Sequence, residues 1–142
     1  MTKKADLVEE RFSQVNCAQT VFSLYAEDLG IDEETTLKIA SGFGGGMKRG
    51  ATCGAITGAY MVIGLKYGNT HNDSEEKLAL EQKIRKFNNH FKKIHGTLNC
   101  RELIDYNIST IEEKDAAREA GVFQNICPKL LKTACNILDK EF

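Results

Sequence analysis

The chain has 142 residues, the length of one ordinary domain, and we expect a single domain over residues 1–142. Its 19 Lys and Arg residues nearly balance its 20 Asp and Glu residues, so no strong field favours nucleic acid as a partner. No apolar run reaches the roughly 18 residues of a membrane span, and the N-terminus lacks the apolar stretch of a signal peptide. We therefore expect a soluble, cytoplasmic protein.

The first part of the chain shows helical periodicity. Residues from about 4 to 29 carry apolar side chains at three- and four-residue steps, which predicts one long helix that ends at Gly30. Asp32 is placed to cap a short helix that continues to about residue 41. The glycine-rich residues 42–50 interrupt the periodicity and predict a loop.

Helical patterns continue to the C-terminus. Asp73 with Glu76, and Ser109 with Glu112, have the spacing of capping boxes at helix starts. No segment shows the alternation typical of a strand. The sequence therefore predicts an all-α, single-domain bundle of about five to seven helices. The later helices are expected at about residues 52–66, 73–94, 101–104, 109–120 and 127–142.

The cysteines are the candidate functional groups. Three of them stand at predicted helix starts, where unpaired N–H groups and the helix dipole stabilise a thiolate: Cys53, Cys100 and Cys127. Cys53 follows the glycine loop with its two basic residues, so we expect its pKa to be the most perturbed and to lie below about 8.5. Cys17 is predicted inside the first helix, and Cys135 is expected to be a structural core residue.

Other patterns point to less specific roles. The glycine loop matches neither the phosphate-loop nor the dinucleotide-binding pattern. Gly54 and Gly58 are four residues apart, a spacing that lets another backbone approach closely, within the protein, in a homodimer or at a cofactor. The three histidines are expected at the surface or at the rim of the bundle. The glycines that could contact a cofactor are Gly45, Gly46, Gly54 and Gly58.

The segment Cys53-Gly54-Ala55-Ile56-Thr57-Gly58 resembles the CGAxxG motif of the redox-active proteins called the C_GCAxxG_C_C family. Members of that family have about this length and four characteristic cysteines. The order of Cys17, Cys53, Cys100 and Cys127 is similar, so the resemblance covers nearly the whole chain. It implies a redox role for these four residues.

The sequence is compatible with two versions of that role. The four cysteines could exchange between dithiol and disulfide, or they could ligate an iron–sulfur cluster or another metal centre. Either version allows a redox partner protein and an oxidoreductase-like activity. The alternative is a non-catalytic binding or dimerisation module whose cysteines are buried structural residues. An acid/base enzyme has no support, because the carboxylates are scattered over amphipathic helix faces.

Overall fold

A computed structural model describes residues 3–142, and within them the regular structure is helical. Two short 3₁₀ helices, Lys4–Leu7 and Glu27–Leu29, accompany nine α-helices. The all-α prediction is confirmed, with more helices than the five to seven expected. The α-helices are α1 Val8–Phe12, α2 Cys17–Ala26, α3 Glu33–Ala40, α4 Gly54–Tyr67, α5 Ser74–His95, α6 Cys100–Ile104, α7 Ile111–Glu119, α8 Val122–Asn125 and α9 Cys127–Glu141.

The long first helix predicted from the apolar periodicity is wrong, because the chain breaks before α2. Asn16 is extended there and caps α2. Its Oδ1 accepts a hydrogen bond from the Gln19 N–H at 2.8 Å, and its own N–H donates to Gln19 Oε1 at 2.9 Å. This reciprocal capping box satisfies two N–H groups at a helix start. The break makes Cys17 the first residue of α2 instead of an interior one.

Most other helix ends lie where the capping residues predict them. Asp32 and Asp73 cap α3 and α5 through their side chains. Gly30 and Gly96 end their segments in the left-handed conformation, with φ of 73° and 86°. The predicted cap at Ser109 is displaced by one residue: Thr110 caps α7 through a bond from the Glu113 N–H.

The main hydrophobic core is built around α4. This helix is buried along most of its length, and it packs chiefly on α2 and also on α9 and α5. A helix that is apolar on all sides is stable only in such a central position. Among the described residues, no helix is both long enough and apolar enough to cross a membrane.

A second, smaller cluster of buried side chains lies in the C-terminal half. It contains Cys100, Ile104, Ile108, Ala117 and Val122, which come from α6, α7, α8 and the segment between α6 and α7. Ile126 packs against both clusters, just before α9 begins. The two clusters are therefore neighbours with a seam between them.

Candidate functional site: a four-cysteine cavity

A cavity of about 250 Å³ lies at the seam between the two clusters. Cys17, Cys53, Cys100 and Cys127 all line it, although they are far apart in the sequence. Cys135 is fully buried in the main core and is not among the lining residues. The other walls are mainly apolar and include Ile104, Ile108, Phe123, Leu130 and Leu131.

Every cavity cysteine stands at the start of an α-helix. Cys17, Cys100 and Cys127 are the first residues of α2, α6 and α9, and Cys53 is the N-cap of α4. Helix starts carry unpaired N–H groups and partial positive charge. The prediction missed this position for Cys17, although the spacing of Asn16 and Gln19 is a capping signal that could have shown it.

An isolated β-bridge joins the segments that carry Cys53 and Cys100. Thr52 and Asn99 lie opposite each other in antiparallel orientation. The Cys53 N–H donates to the Leu98 carbonyl oxygen at 2.9 Å, and the Cys100 N–H donates to the Ala51 carbonyl oxygen at 2.7 Å. These two bonds hold the backbones of both cysteines side by side at the cavity. Sequence patterns do not show this pairing, because it joins segments far apart in the chain.

The predicted glycine loop contains a left-handed turn beside the cavity. Four successive residues have positive φ: Gly45, Gly46, Met47 and Lys48, at 64°, 62°, 61° and 67°. Such angles are unfavourable for residues with a side chain. The turn is closed by a 3.0 Å bond from the Ala51 N–H to the Gly46 carbonyl oxygen. Gly45, the first residue of the turn, lines the cavity together with Cys17.

The four glycines expected at a cofactor divide into two pairs. Gly45 and Gly54 line the cavity, whereas Gly46 and Gly58 are not among the lining residues. A Cβ at Gly54 would lie 2.1 Å from Cys17 Sγ, and one at Gly58 would lie 2.8 Å from the Ala18 carbonyl oxygen. The Gly54–Gly58 face therefore packs internally against α2. A homodimer stays a prediction, but this face is not free to form it.

The cavity thiols favour the protonated form. Burial raises the pKa of Cys17, and it raises that of Cys53 well above the ordinary value, with the nearby Cys17 sulfur adding to the effect. Burial and Cys17 also raise the pKa of Cys100 to about 11. Burial and the neighbouring cavity thiols raise that of Cys127 to about 12.

The predicted low pKa of Cys53 is therefore wrong. Cys53 is only 6% exposed. Full burial can move a pKa by 3–5 units, roughly 4–7 kcal/mol, whereas a helix dipole contributes about 0.3–2 kcal/mol. Desolvation is the larger effect at this position. The sequence showed the helix start but not the depth of burial.

The charged residues of the cavity lining are all cationic: Lys48, Lys114 and Arg118. No histidine is among the lining residues, and His95 instead contacts Thr133 Oγ1 at 2.9 Å. Four thiols are a donor set that iron–sulfur clusters and zinc accept. As residues 3–142 are arranged, no three His, Cys, Asp or Glu side chains form a group that could hold a metal ion. The cavity volume of about 250 Å³ is several times the roughly 30 Å³ that one water molecule occupies in the liquid.

Residues 15–141 match the model of a family described as "Putative redox-active protein (C_GCAxxG_C_C)". The match covers most of the chain, and the protein belongs to this family. The family description places glycine before the second cysteine, whereas this chain has Cys53 followed by Gly54. No curated protein and no solved structure matches the chain.

Proposed function

We propose that this protein works in redox chemistry through the four thiols that line the cavity. The supporting observation is their convergence: four cysteines from four different helix starts face one cavity between two hydrophobic clusters. A packing role alone does not require this, since a buried cysteine behaves as a small apolar residue wherever it sits. Cys135 is such a residue within the same chain.

In one version, Cys17, Cys53, Cys100 and Cys127 hold a redox-active metal centre, which requires their side chains to rearrange from their positions among residues 3–142. Their raised pKa values make free thiolates scarce at neutral pH, whereas a bound metal deprotonates its thiol ligands outright. The helix-start N–H groups would then face negatively charged sulfur. An iron–sulfur cluster suits the family description better than zinc, because zinc has no redox chemistry and the cluster would supply electron transfer.

The second version is thiol–disulfide exchange, favoured by the closeness of Cys17 to the start of α4. Cys17 Sγ lies against Gly54, next to Cys53. In this version the two thiols form one disulfide bond and lose two protons and two electrons. A disulfide of a partner molecule accepts them and becomes two thiols. The raised pKa values would make this reaction slow at neutral pH, because the thiolate is the attacking form.

The two versions are separated by anaerobic purification, followed by iron and sulfide analysis, an absorption spectrum and a thiol titration. The metal-centre version predicts iron and sulfide together with visible absorption, and it predicts their loss in Cys53→Ser and Cys127→Ser variants. Cys135→Ala is the matched control and should keep them. A metal-free protein with a reversible disulfide among the four cysteines would favour exchange. Four thiols that stay reduced under mild oxidants, with no metal, would contradict both versions.

A further inference from the structure

We propose that the four-cysteine cavity takes a small anionic reactant or ligand, whose charge lies among Lys48, Lys114 and Arg118. The inference deepens the proposed function, since it names the class of molecule that reaches the same thiols. The whole chain has a net charge of −1, yet the charged side chains that line this cavity are all positive.

Two of the three cations have no carboxylate to neutralise them. The ion pairs formed among residues 3–142 include neither Lys48 nor Lys114. Arg118 Nη1 is 3.1 Å from Asp115 Oδ1, but both side chains are more than half exposed. An exposed pair of this kind is weak, so Arg118 can turn to another anion at little cost.

The backbone at Lys48 supports the same conclusion. Lys48 is the last residue of the left-handed turn, with φ of 67°, a conformation that costs a residue with a side chain about 1 kcal/mol or more. The turn places its exposed lysine in the lining of the cavity. Lys114 and Arg118 come from α7, one helical turn apart on the same face. Cations from two separate segments therefore line the cavity that the four thiols line.

The apolar walls explain why these charges should act strongly on a small molecule. Charges at the edge of a low-dielectric cleft focus their field into it and concentrate ions of opposite sign there. A carboxylate, phosphate or sulfur oxyanion would be drawn in, whereas a neutral molecule of the same size would not. The acidic surface of a partner protein would meet the same cations only from outside.

The test compares iodoacetate with iodoacetamide, two alkylating agents of nearly equal size that differ by one negative charge. In each case the cysteine thiolate forms a carbon–sulfur bond and iodide leaves with the bonding electrons. The reduced protein is treated at about pH 9, where lysine remains mostly charged. The rates at Cys17 and Cys127 are followed by mass spectrometry, because these two are partly exposed whereas Cys53 and Cys100 are buried. The ratio of the two rates is divided by that of free cysteine.

We expect this normalised ratio to exceed one by about threefold or more and to fall as salt is added. Lys48→Gln and Lys114→Gln should each lower it by about twofold to threefold. Lys92→Gln, which removes an exposed positive charge on α5, is the control and should leave it unchanged. A ratio near one that does not respond to Lys48→Gln or Lys114→Gln would overturn the inference.

The result is independent of the redox test. A charge preference in a protein whose four cysteines show no redox or metal chemistry would support this inference and contradict the proposed function. Redox chemistry at the four cysteines without any preference for the anionic reagent would support the proposed function and contradict this inference. A high ratio that persists in the Lys48→Gln and Lys114→Gln variants would place the attraction elsewhere and contradict the cation site.

Discussion

Gly54 shows how one absent side chain shapes the site. The ideal position of a Cβ there lies 2.1 Å from Cys17 Sγ and 2.9 Å from the Ala18 N. Both distances are shorter than van der Waals contact allows. The small residue beside Cys53 is thus what lets the Cys17 thiol approach the start of α4.

We predict that Gly54→Ala destabilises the protein by about 1–3 kcal/mol and displaces the Cys17 side chain, because the added methyl group overpacks a buried contact. Gly64→Ala in the same helix is the control. A Cβ at Gly64 meets nothing within 4 Å, so that variant should gain about 0.5–1 kcal/mol from higher helix propensity. Urea unfolding measures both, and a Gly54→Ala protein as stable as the Gly64→Ala protein would contradict the packing argument.

Cys53 marks a limit of prediction at the residue scale. Its place at a helix start follows from the glycine loop and the apolar pattern after it. Its pKa depends on how much water it loses, and that is decided by α2 and by the segment around Leu98, neither of which is adjacent to it in sequence. A local sequence pattern can predict the electrostatic effect of a helix start on a thiol. It cannot predict how deeply distant parts of the chain bury that thiol.

At the scale of elements, the cap of α2 places Cys17. We predict that Asn16→Ala lowers the free energy of unfolding by about 0.5–2 kcal/mol, because the bond from the Gln19 N–H to Asn16 Oδ1 and the bond from Asn16 Nδ2 to the Ser41 carbonyl oxygen are lost. The variant should also change the alkylation rate of Cys17. Asp73→Ala removes the cap of α5 and is the control. It should destabilise the protein by a similar amount and leave the alkylation rate of Cys17 unchanged. Equal Cys17 rates in all three proteins would refute the positioning role of Asn16.

The helix α7 is weakly attached, although two of its residues line the cavity. Ala117 is its one buried residue. Regions with few buried contacts open at low free energy. We therefore predict that amide hydrogens of Ile111–Glu119 exchange much faster than those of Gly54–Tyr67, as measured by hydrogen-exchange mass spectrometry. Similar protection in both helices would show that α7 is held by more than this contact.

The helices themselves were largely predictable, and the reasons are local. Asp32, Asp73, Gly30 and Gly96 act within one helical turn of their own positions, so their meaning can be read from the sequence. The break at Asn16 was obscured because apolar spacing continues across it. The left-handed turn was not predictable either, since Met47 and Lys48 lack the usual glycine at positive φ.

At the scale of the whole molecule, the buried thiols make stability depend on pH. Cys100 has a pKa raised from 9.0 to about 11, and Cys127 has one raised to about 12. Above about pH 9 the unfolded chain releases these protons while the folded protein retains them. The folded state then binds more protons, so the free energy of unfolding falls as pH rises.

We predict that the reduced, metal-free protein loses stability between about pH 9 and pH 11, by at most about 1.4 kcal/mol per pH unit for each such thiol. Urea unfolding across this range measures the slope. Cys100→Ala and Cys127→Ala should each reduce it. Between about pH 5 and 7 the thiols are neutral in both states and should contribute no slope. An alkaline slope that neither variant reduces relative to the unsubstituted protein would contradict the raised pKa values.

The order of the cysteines along the chain has a mechanical consequence. The exposed segment between α4 and α5 separates Cys17 and Cys53 from Cys100 and Cys127. A protease cut at His71 would leave two fragments, each with two of the four thiols. With a bound centre or a disulfide that spans both pairs, the fragments should remain one particle in urea. After chelation and reduction the two fragments should separate. The chemical state of the four cysteines would therefore decide whether the cleaved protein stays in one piece.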